Sequence, residues 1–166
     1  MAQNDLLALT DQREDEDTLQ DKYLIFSMGN ELYGMEIRYI TEIIGIQPIT
    51  QVPEMPAHIK GITNLRGKII PVMDARLRFR KEARKYDDRT CIIVLDTANL
   101  SVGLIVDSVA EVLTLREEDI APPPEIKAAG HKYIKGVGKA GGIVRLLLDC
   151  QRLLTDDEAE TLGAMA

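Results

Sequence analysis

The sequence predicts an all-β protein made of two small five-stranded barrels, which an internal repeat relates by a pseudo-twofold axis, followed by a short C-terminal helix. Three observations support this prediction. Two blocks of the chain align with two later blocks, and the segments inside both copies are short, apolar and rich in β-branched residues. In addition, no segment before residue 149 has the periodicity of a long amphipathic helix.

The internal repeat is the strongest of these observations. At an offset of 69, residues 23–44 align with 92–113, and the aligned identities are Asn30 with Asn99, Gly34 with Gly103, and Glu42 with Glu111. At an offset of 75, residues 59–79 align with 134–154, and the aligned identities are Ile59, Lys60, Gly61, Gly67 and Asp74 with Ile134, Lys135, Gly136, Gly142 and Asp149. Two copies are too few for a solenoid, so a pair of related small domains is the better interpretation.

The segments within each copy are typical of short strands. YLIF and LYGMEI flank a Gly-Asn turn, and CIIVL and LSVGLIV flank DTAN, so each copy begins with a hairpin. ITEII and VAEVL fit either a helical period or a bent strand, and both interpretations stay open. The runs that follow Gly67 and Gly142 are typical of buried strands, and Pro71 places its strand at an edge or bulge. Asp74 and Asp149 end these strands, which indicates a turn or cap role.

About five short strands in roughly 60 residues are the size and pattern of an SH3-like barrel. A domain that small buries only about 60% of its unfolded surface, so packing the two copies together supplies the missing burial and creates a groove for a partner. The predicted first barrel spans residues 23–85 and the second 86–154, a division compatible with exchange of a terminal strand. Thr155 and Glu158 form a capping box, which predicts a C-terminal helix or tail over 155–166.

The negative charge of the chain is concentrated at its ends. Residues 1–22 have a net charge of −5 and residues 155–166 of −4, which leaves +2 for residues 23–154. The first 22 residues lack aromatic side chains and are predicted to be a disordered acidic tail. The nearly neutral remainder offers no basic stripe to a phosphate backbone, so nucleic acid is not an expected partner. The connector 76–89, with seven bases and three acids, is expected to be a solvated linker.

The sequence offers few groups suited to catalysis or metal binding. Its two cysteines and two histidines lack the spacing of zinc ligands, and no phosphate-binding, serine-hydrolase or metalloprotease motif occurs. We therefore expect no enzyme activity, no cofactor and no metal, and we expect both cysteines to be reduced core residues. Short apolar stretches and the absence of a signal-peptide pattern predict a cytoplasmic protein that does not insert into the membrane.

Residues 23–154 resemble the CheW family of chemotaxis coupling proteins. The resemblance rests on YGMEI, on ITEII with Glu42, and on IKGITNLRGKIIPVMD with its core Asn64-Leu65-Arg66-Gly67. It implies two SH3-like barrels and a non-catalytic cytoplasmic adaptor, recruited to membrane-associated receptor arrays. Such an adaptor joins the cytoplasmic tips of chemoreceptors to the regulatory domain of the histidine kinase CheA. Two alternatives stay open: a CheW-like scaffold of a non-chemotaxis receptor–kinase pathway, and an enzyme on a small-barrel scaffold.

The resemblance also implies two sets of site residues. The receptor-binding set is Ile37, Ile40, Glu42, Asn64, Leu65, Arg66, Gly103 and Val109, and the kinase-binding set is Glu42, Gly61 and Gly67. Plain core packing explains Ile37, Ile40 and Val109 nearly as well. Arg66 aligns with Gly141 in the repeat, so the scaffold does not require a cation at this turn. We expect Glu42 to be its ion-pair partner, since a guanidinium suits a carboxylate.

Overall fold

The computed structural model describes residues 19–97, 100–123 and 133–153. These residues form eleven strands, which are β1 (Lys22–Met28), β2 (Glu31–Glu36), β3 (Ile40–Gly45), β4 (Ile59–Leu65), β5 (Lys68–Asp74), β6 (Cys91–Thr97), β7 (Leu100–Val106), β8 (Ser108–Thr114), β9 (Ile120–Ala121), β10 (Ile134–Gly138) and β11 (Arg145–Leu148). Within the same ranges there is one short α-helix, α1 (Ala75–Arg78), and 3-10 turns at Ile37–Tyr39, Glu117–Asp119, Ala140–Gly142 and Cys150–Arg152. The predicted all-β class is confirmed, and ITEII and VAEVL form strands β3 and β8.

The strands form two sheets. The first sheet has five strands in the order β3-β6-β7-β5-β4, and the second has six in the order β8-β1-β2-β11-β10-β9. All neighbouring strands are antiparallel except β5 with β7 and β2 with β11, which are parallel. The order of the first sheet matches that of the second when β3, β4, β5, β6 and β7 are replaced by their repeat equivalents β8, β10, β11, β1 and β2.

Each sheet combines a hairpin from one repeat with strands from the other, three in the first sheet and four in the second. The β1–β2 hairpin of the first repeat lies in the second sheet, and the β6–β7 hairpin of the second repeat lies in the first sheet. The sheets therefore do not coincide with the contiguous segments 23–85 and 86–154, and a whole hairpin rather than a terminal strand is exchanged. The reason is that the 3-10 turn Ile37–Tyr39 and the single residue Asp107 carry the chain from one sheet to the other.

The described chain begins slightly before the predicted boundary of the first domain. Strand β1 starts at Lys22, and the backbone N–H of Lys22 donates to the carbonyl of Leu19 at 3.2 Å. The last residues of the predicted acidic tail therefore belong to a turn and a strand. Residues 1–18 of that tail and the predicted C-terminal helix over 155–166 lie outside the described residues.

The buried apolar side chains of the described residues form three clusters. The largest contains residues of both sheets, among them Leu24, Phe26, Met35, Met73, Leu95 and Leu104. The second belongs to the first sheet and contains Ile70, Val72, Ile92, Val94 and Ile105, and the third belongs to the second sheet and contains Tyr23, Ile25, Leu115 and Leu147. Each sheet thus has its own interior, and a shared layer joins the two. Full burial of each large side chain contributes about 1.5–3 kcal/mol.

Asp74, the last residue of β5, and Asp149, the residue after β11, cap the turns that follow. Asp74 accepts a hydrogen bond from the backbone N–H of Leu77 in α1, and Asp149 accepts one from the N–H of Gln151 at 3.0 Å. The phenolic O–H of Tyr86 also donates to Asp74, at 2.7 Å. The predicted cap role of both aspartates is confirmed.

Candidate partner-binding site

Three of the predicted site residues lie in one row that crosses the first sheet. The row runs through all five strands and consists of Glu42, Val94, Gly103, Val72 and Gly61, each paired with the next. Since paired residues of neighbouring strands face the same side, these positions share one face of the sheet. The face is that of the apolar cluster around Val72 and Val94.

The second sheet contains an equivalent row. It consists of Glu111, Ile25, Gly34, Leu147 and Gly136. Each member is the repeat equivalent of a member of the first row, at an offset of 69 or 75. The repeat found in the sequence is therefore a repeat in three dimensions, down to the pairing of single residues.

An ion pair joins the two edges of the first sheet. Glu42 lies on edge strand β3, and Arg66 lies in the turn that follows the opposite edge strand, β4. The Arg66 Nη1 donates to the Glu42 Oε2 at 2.8 Å, with side-chain exposures of 75% for Arg66 and 18% for Glu42. The Glu42 Oε1 is buried and accepts no hydrogen bond from the described residues. The pair expected from the sequence is present, and it orients an otherwise exposed guanidinium.

The turn that carries Arg66 holds it in an unusual backbone conformation. Arg66 and Gly67 have positive φ values of 53° and 86°. The Asn64 Oδ1 accepts from the backbone N–H of Gly67 at 2.8 Å and so fixes the turn. Leu65 is half-buried and packs against the cluster of the first sheet. A left-handed backbone disfavours a side-chain-bearing residue by about 1–2 kcal/mol, so this turn stores strain at Arg66.

The two glycines of the row are required by the packing of the sheet. A Cβ at Gly61 would lie 2.0 Å from the carbonyl oxygen of Thr50, and the φ of Gly61 is +145°. A Cβ at Gly103 would lie 2.8 Å from the Ile92 Cγ2. By contrast, a Cβ at Gly67 would meet no atom within 4 Å. Of the predicted site glycines, only Gly67 therefore faces open space.

Three apolar members of the predicted receptor-binding set, Ile37, Ile40 and Val109, lie in or beside the shared layer. Ile37 and Ile40 are 2% and 1% exposed, which are the values of core residues. Val109 is half-buried and packs against the same layer. This burial fits plain core packing for Ile37 and Ile40, whereas Val109 keeps accessible surface.

A carboxylate at the crossover between β7 and β8 was missed in the sequence. Asp107 accepts from the Arg76 Nε at 2.8 Å and Nη2 at 2.6 Å, from the backbone N–H of Gly29 at 2.8 Å and from the Arg84 Nη1 at 3.1 Å. Burial favours a raised pKa, but the hydrogen bonds and charges of these donors prevail and hold the pKa of Asp107 at about 2. The connector that supplies both arginines is thus partly a structural element and not only a solvated linker.

The described residues offer little that is suited to chemistry. Among them, no group of three or more His, Cys, Asp or Glu side chains is arranged to hold a metal ion, and no helix has the length and apolar character needed to cross a membrane. Cys91 and Cys150 are free cysteines. Burial raises the pKa of the Cys150 thiol to about 12, so this thiol stays protonated and unreactive near neutral pH.

Comparison with known proteins identifies the family. A family model described as a CheW-like domain matches residues 22–158. The chain belongs to the CheW family. It is 39% identical over 151 residues to chemotaxis protein CheW of Klebsiella aerogenes, across 90% of this chain and 91% of that protein. Identity with chemotaxis protein CheW of Treponema pallidum is 32% over 149 residues, across 87% of this chain and 88% of that protein.

A solved structure supports the same assignment. The scaffolding protein TtCheW from Thermoanaerobacter tengcongensis superposes with a TM-score of 0.76 and 36% sequence identity, covering 80% of this chain and 91% of that one. The resemblance to CheW and the SH3-like fold class are therefore confirmed. The relatives are chemotaxis proteins and a scaffold, so the predicted role as a CheW-type chemotaxis adaptor is confirmed as well.

Proposed function

We propose that this chain is a non-catalytic adaptor that couples the cytoplasmic tips of chemoreceptors to the histidine kinase CheA. Membership of the CheW family supports the class of function. The observation that supports a partner-binding site is the exposed, ion-paired Arg66 on a strained turn. In this proposal the protein acts in the cytoplasm and is recruited to membrane-associated receptor arrays through its partners.

Arg66 is the residue on which the proposal depends most. Its guanidinium carries five N–H donors in a fixed fork, and the hydrogen bond to Glu42 uses one nitrogen, Nη1. The remaining donors suit a carboxylate, or the carbonyl groups at the end of a helix, on a receptor or kinase. Because the equivalent turn contains Gly141, the fold itself gains nothing from an arginine here. A binding role is the physical reason to keep it.

Other members of the predicted receptor-binding set also keep accessible surface. Asn64, Arg66 and Gly67 are exposed, and Leu65 and Val109 each retain accessible apolar area. We assign the Arg66 turn and Val109 to direct contact with the receptor. Ile37, Ile40 and Gly103 are buried and would contribute to the receptor site through packing and not through direct contact.

The proposed kinase contact lies where the Glu42–Arg66 ion pair joins the two edges of the first sheet. Glu42 would contribute through the pair it forms with Arg66, and Gly67 would contribute directly because its surroundings are open. Gly61 would act indirectly, because its missing side chain lets the backbone of Thr50 lie against β4. A few central residues would then carry most of the binding energy, as is usual at protein interfaces.

Reconstitution tests the proposed function. Receptor signalling fragment, CheA and ATP are combined with and without the purified chain, and autophosphorylation is followed. The proposal predicts that the chain raises kinase activity only when receptor is present. Equal stimulation without receptor, or turnover of ATP by the chain alone, would contradict the adaptor role. Substituting the receptor and kinase of another pathway of the same cell tests the non-chemotaxis alternative.

A further inference from the structure

The connector between β5 and β6 packs against the second sheet, although both of these strands belong to the first. Residues 75–90 form this segment, which we call the strap. The ring of Phe79 stacks on the ring of Tyr33 in β2, with the ring centroids 5.6 Å apart. The Lys81 Nζ donates to the Glu31 Oε1, at the start of β2, at 2.9 Å. The strap therefore ties the β1–β2 hairpin to the first sheet.

An arginine of the strap binds the carboxylate at the crossover from β7 to β8. The Arg76 Nε and Nη2 donate to the two oxygens of Asp107 at 2.8 and 2.6 Å, and these side chains are only 16% and 10% exposed. The backbone N–H of Gly29, in the β1–β2 turn, donates to the same carboxylate at 2.8 Å, and the Arg84 Nη1 does so at 3.1 Å. A bidentate arginine–carboxylate pair fixes geometry as well as adding stability. Asp107, Arg76 and Gly29 together form what we call the clamp.

The clamp lies at the start of the strand that carries Val109. Asp107 directly precedes β8, and its backbone N–H donates to the carbonyl of Ser27 at 3.2 Å. The hydroxyl oxygens of Ser27 and Ser108 are 2.7 Å apart. Val109 comes next and pairs with Phe26 of β1. Val109 therefore lies two residues from the clamped carboxylate.

The pairing of β8 with β1 changes register immediately after Val109. Phe26 and Ile25 are adjacent in β1, but they pair with Val109 and Glu111, so Ala110 is the extra residue of a bulge. A bulge bends its strand and changes the direction of the neighbouring side chains. The ladder beyond Val109 therefore holds this residue less firmly than regular pairing would, and the clamp is its anchor on the other side.

The equivalent crossover of the first repeat has no such clamp. At an offset of 69, Asp107 aligns with Arg38, which is 61% exposed and pairs with Glu36. At the same offset Val109 aligns with Ile40, which is 1% exposed and so is held by its own burial. Val109 is only half-buried. The repeated scaffold thus does not require a shielded carboxylate at a crossover, and a specific role for Asp107 is the physical reason to keep one.

We propose that Asp107 is a positioning residue of the receptor site: held by Arg76 and Gly29, it fixes the start of β8 so that Val109 presents its accessible surface to the receptor. The inference rests on the proposed function, in which Val109 contacts the receptor. Asp107 acts through Val109, since its own carboxylate is engaged within the chain. In the described part of the chain the clamp makes no hydrogen bond to the Arg66 turn, so loosening it affects the receptor contact and leaves the kinase contact in place.

Separate binding measurements test this role. The full chain is titrated with a receptor signalling fragment and, independently, with CheA, at a temperature at which circular dichroism shows each variant to be folded. Asp107→Asn and Arg76→Gln are each expected to weaken receptor binding about tenfold and to change CheA binding by less than about twofold. The double variant should bind receptor no more weakly than either single variant, because both changes remove the same clamp.

Hydrogen exchange tests the same role without a partner. In Asp107→Asn the backbone amides of residues 108–112 should exchange with solvent about tenfold faster than in the unmodified chain, while residues 64–67 keep their rates. Unchanged exchange over residues 108–112 would show that the clamp does not hold the start of β8 and would overturn the proposal.

Tyr86→Phe is the matched control. It removes the hydrogen bond from the strap to Asp74 and leaves the clamp intact, so it should bind receptor as the unmodified chain does. Normal receptor binding by Asp107→Asn, or an equal loss of receptor and CheA binding, would overturn the positioning role alone. Failure of the unmodified chain to bind receptor would overturn the proposed function, and this inference with it.

Discussion

Arg66 and Gly141 occupy equivalent turns of the two sheets, and both have a left-handed backbone, with φ values of 53° and 64°. Glycine adopts this conformation freely, whereas arginine does so at a cost of about 1 kcal/mol or more. The ion pair with Glu42 stabilises the folded state by less than about 1 kcal/mol, because solvent screens the Arg66 side chain, which is 75% exposed. The arginine is therefore at best neutral for folding.

This balance leads to a prediction for two substitutions of Arg66. Arg66→Ala keeps the strain and loses the ion pair, so the free energy of unfolding should fall by no more than about 1 kcal/mol. Arg66→Gly also relieves the strain and should be more stable than Arg66→Ala by up to about 1 kcal/mol. Urea unfolding of both variants measures the difference. A loss above about 2 kcal/mol in Arg66→Gly would show that the arginine is structural.

The ion pair gives a second prediction, which concerns Glu42. Glu42→Gln should change the free energy of unfolding by less than about 1 kcal/mol, and its coupling with Arg66→Ala in a double-mutant cycle should be equally small. The same substitution should weaken receptor-dependent kinase activation, since Glu42 orients the guanidinium. Unfolding curves at low and high salt, with the kinase assay beside them, check both effects. Unchanged activation would argue against an orienting role.

A third experiment compares the stability of alanine variants at two predicted kinase-binding glycines, Gly61 and Gly67. Gly61→Ala places a Cβ within 2.0 Å of a backbone oxygen, which no flexible side chain relieves, so the protein should lose more than about 3 kcal/mol or fail to fold. Gly67→Ala meets open space and costs only the backbone strain of about 1–2 kcal/mol. Circular dichroism and urea unfolding distinguish the two. Equal stability of both variants would contradict the close approach of Thr50 to Gly61.

Asp107 gives a prediction about pH. Its pKa of about 2 lies below the usual value of about 3.9. The stability that ionised Asp107 adds to the folded state is therefore present above pH 4 and is lost as the pH falls from 4 toward 2. Asp107→Asn should therefore lower the free energy of unfolding by about 2 kcal/mol at pH 7 and much less at pH 2. Urea unfolding across this range tests it, with the exposed Asp88→Asn as control. If Asp107→Asn lowered the free energy of unfolding equally at every pH, the ion pairs and hydrogen bonds of ionised Asp107 would not be the source of this stability.

The repeat made much of the architecture predictable from the sequence. The two offsets identified the residues that stand in equivalent cross-strand rows, and they paired Arg66 with a glycine. A glycine at the equivalent position was also a signal that the turn needs a positive φ. The exchange of hairpins was not predictable, because both repeats present equivalent strand edges and local patterns do not state which copy a strand pairs with.

The limits of prediction are clearest at the candidate site. Isoleucine suits the wall of a binding groove as well as a protein core. The sequence therefore does not assign Ile37 and Ile40 to either, and their burial in the folded structure decides between the two. Asp107 was missed because its partners, Arg76 and Arg84, lie in a basic run that resembles a solvated linker. The available signal was a single acid directly after the apolar strand β7.

The measurement that tests the central claim most directly is receptor-dependent activation of CheA by the Arg66→Gly variant. The variant has the backbone that the turn prefers, so it should fold at least as well as Arg66→Ala and melt near the unmodified chain. Loss of an interface anchor costs about 2 kcal/mol or more, roughly thirtyfold in affinity, so activation should fall sharply. Arg80→Gly, another exposed arginine with positive φ, serves as control and should activate normally. Full activation by Arg66→Gly, in a protein that folds normally, would contradict the account.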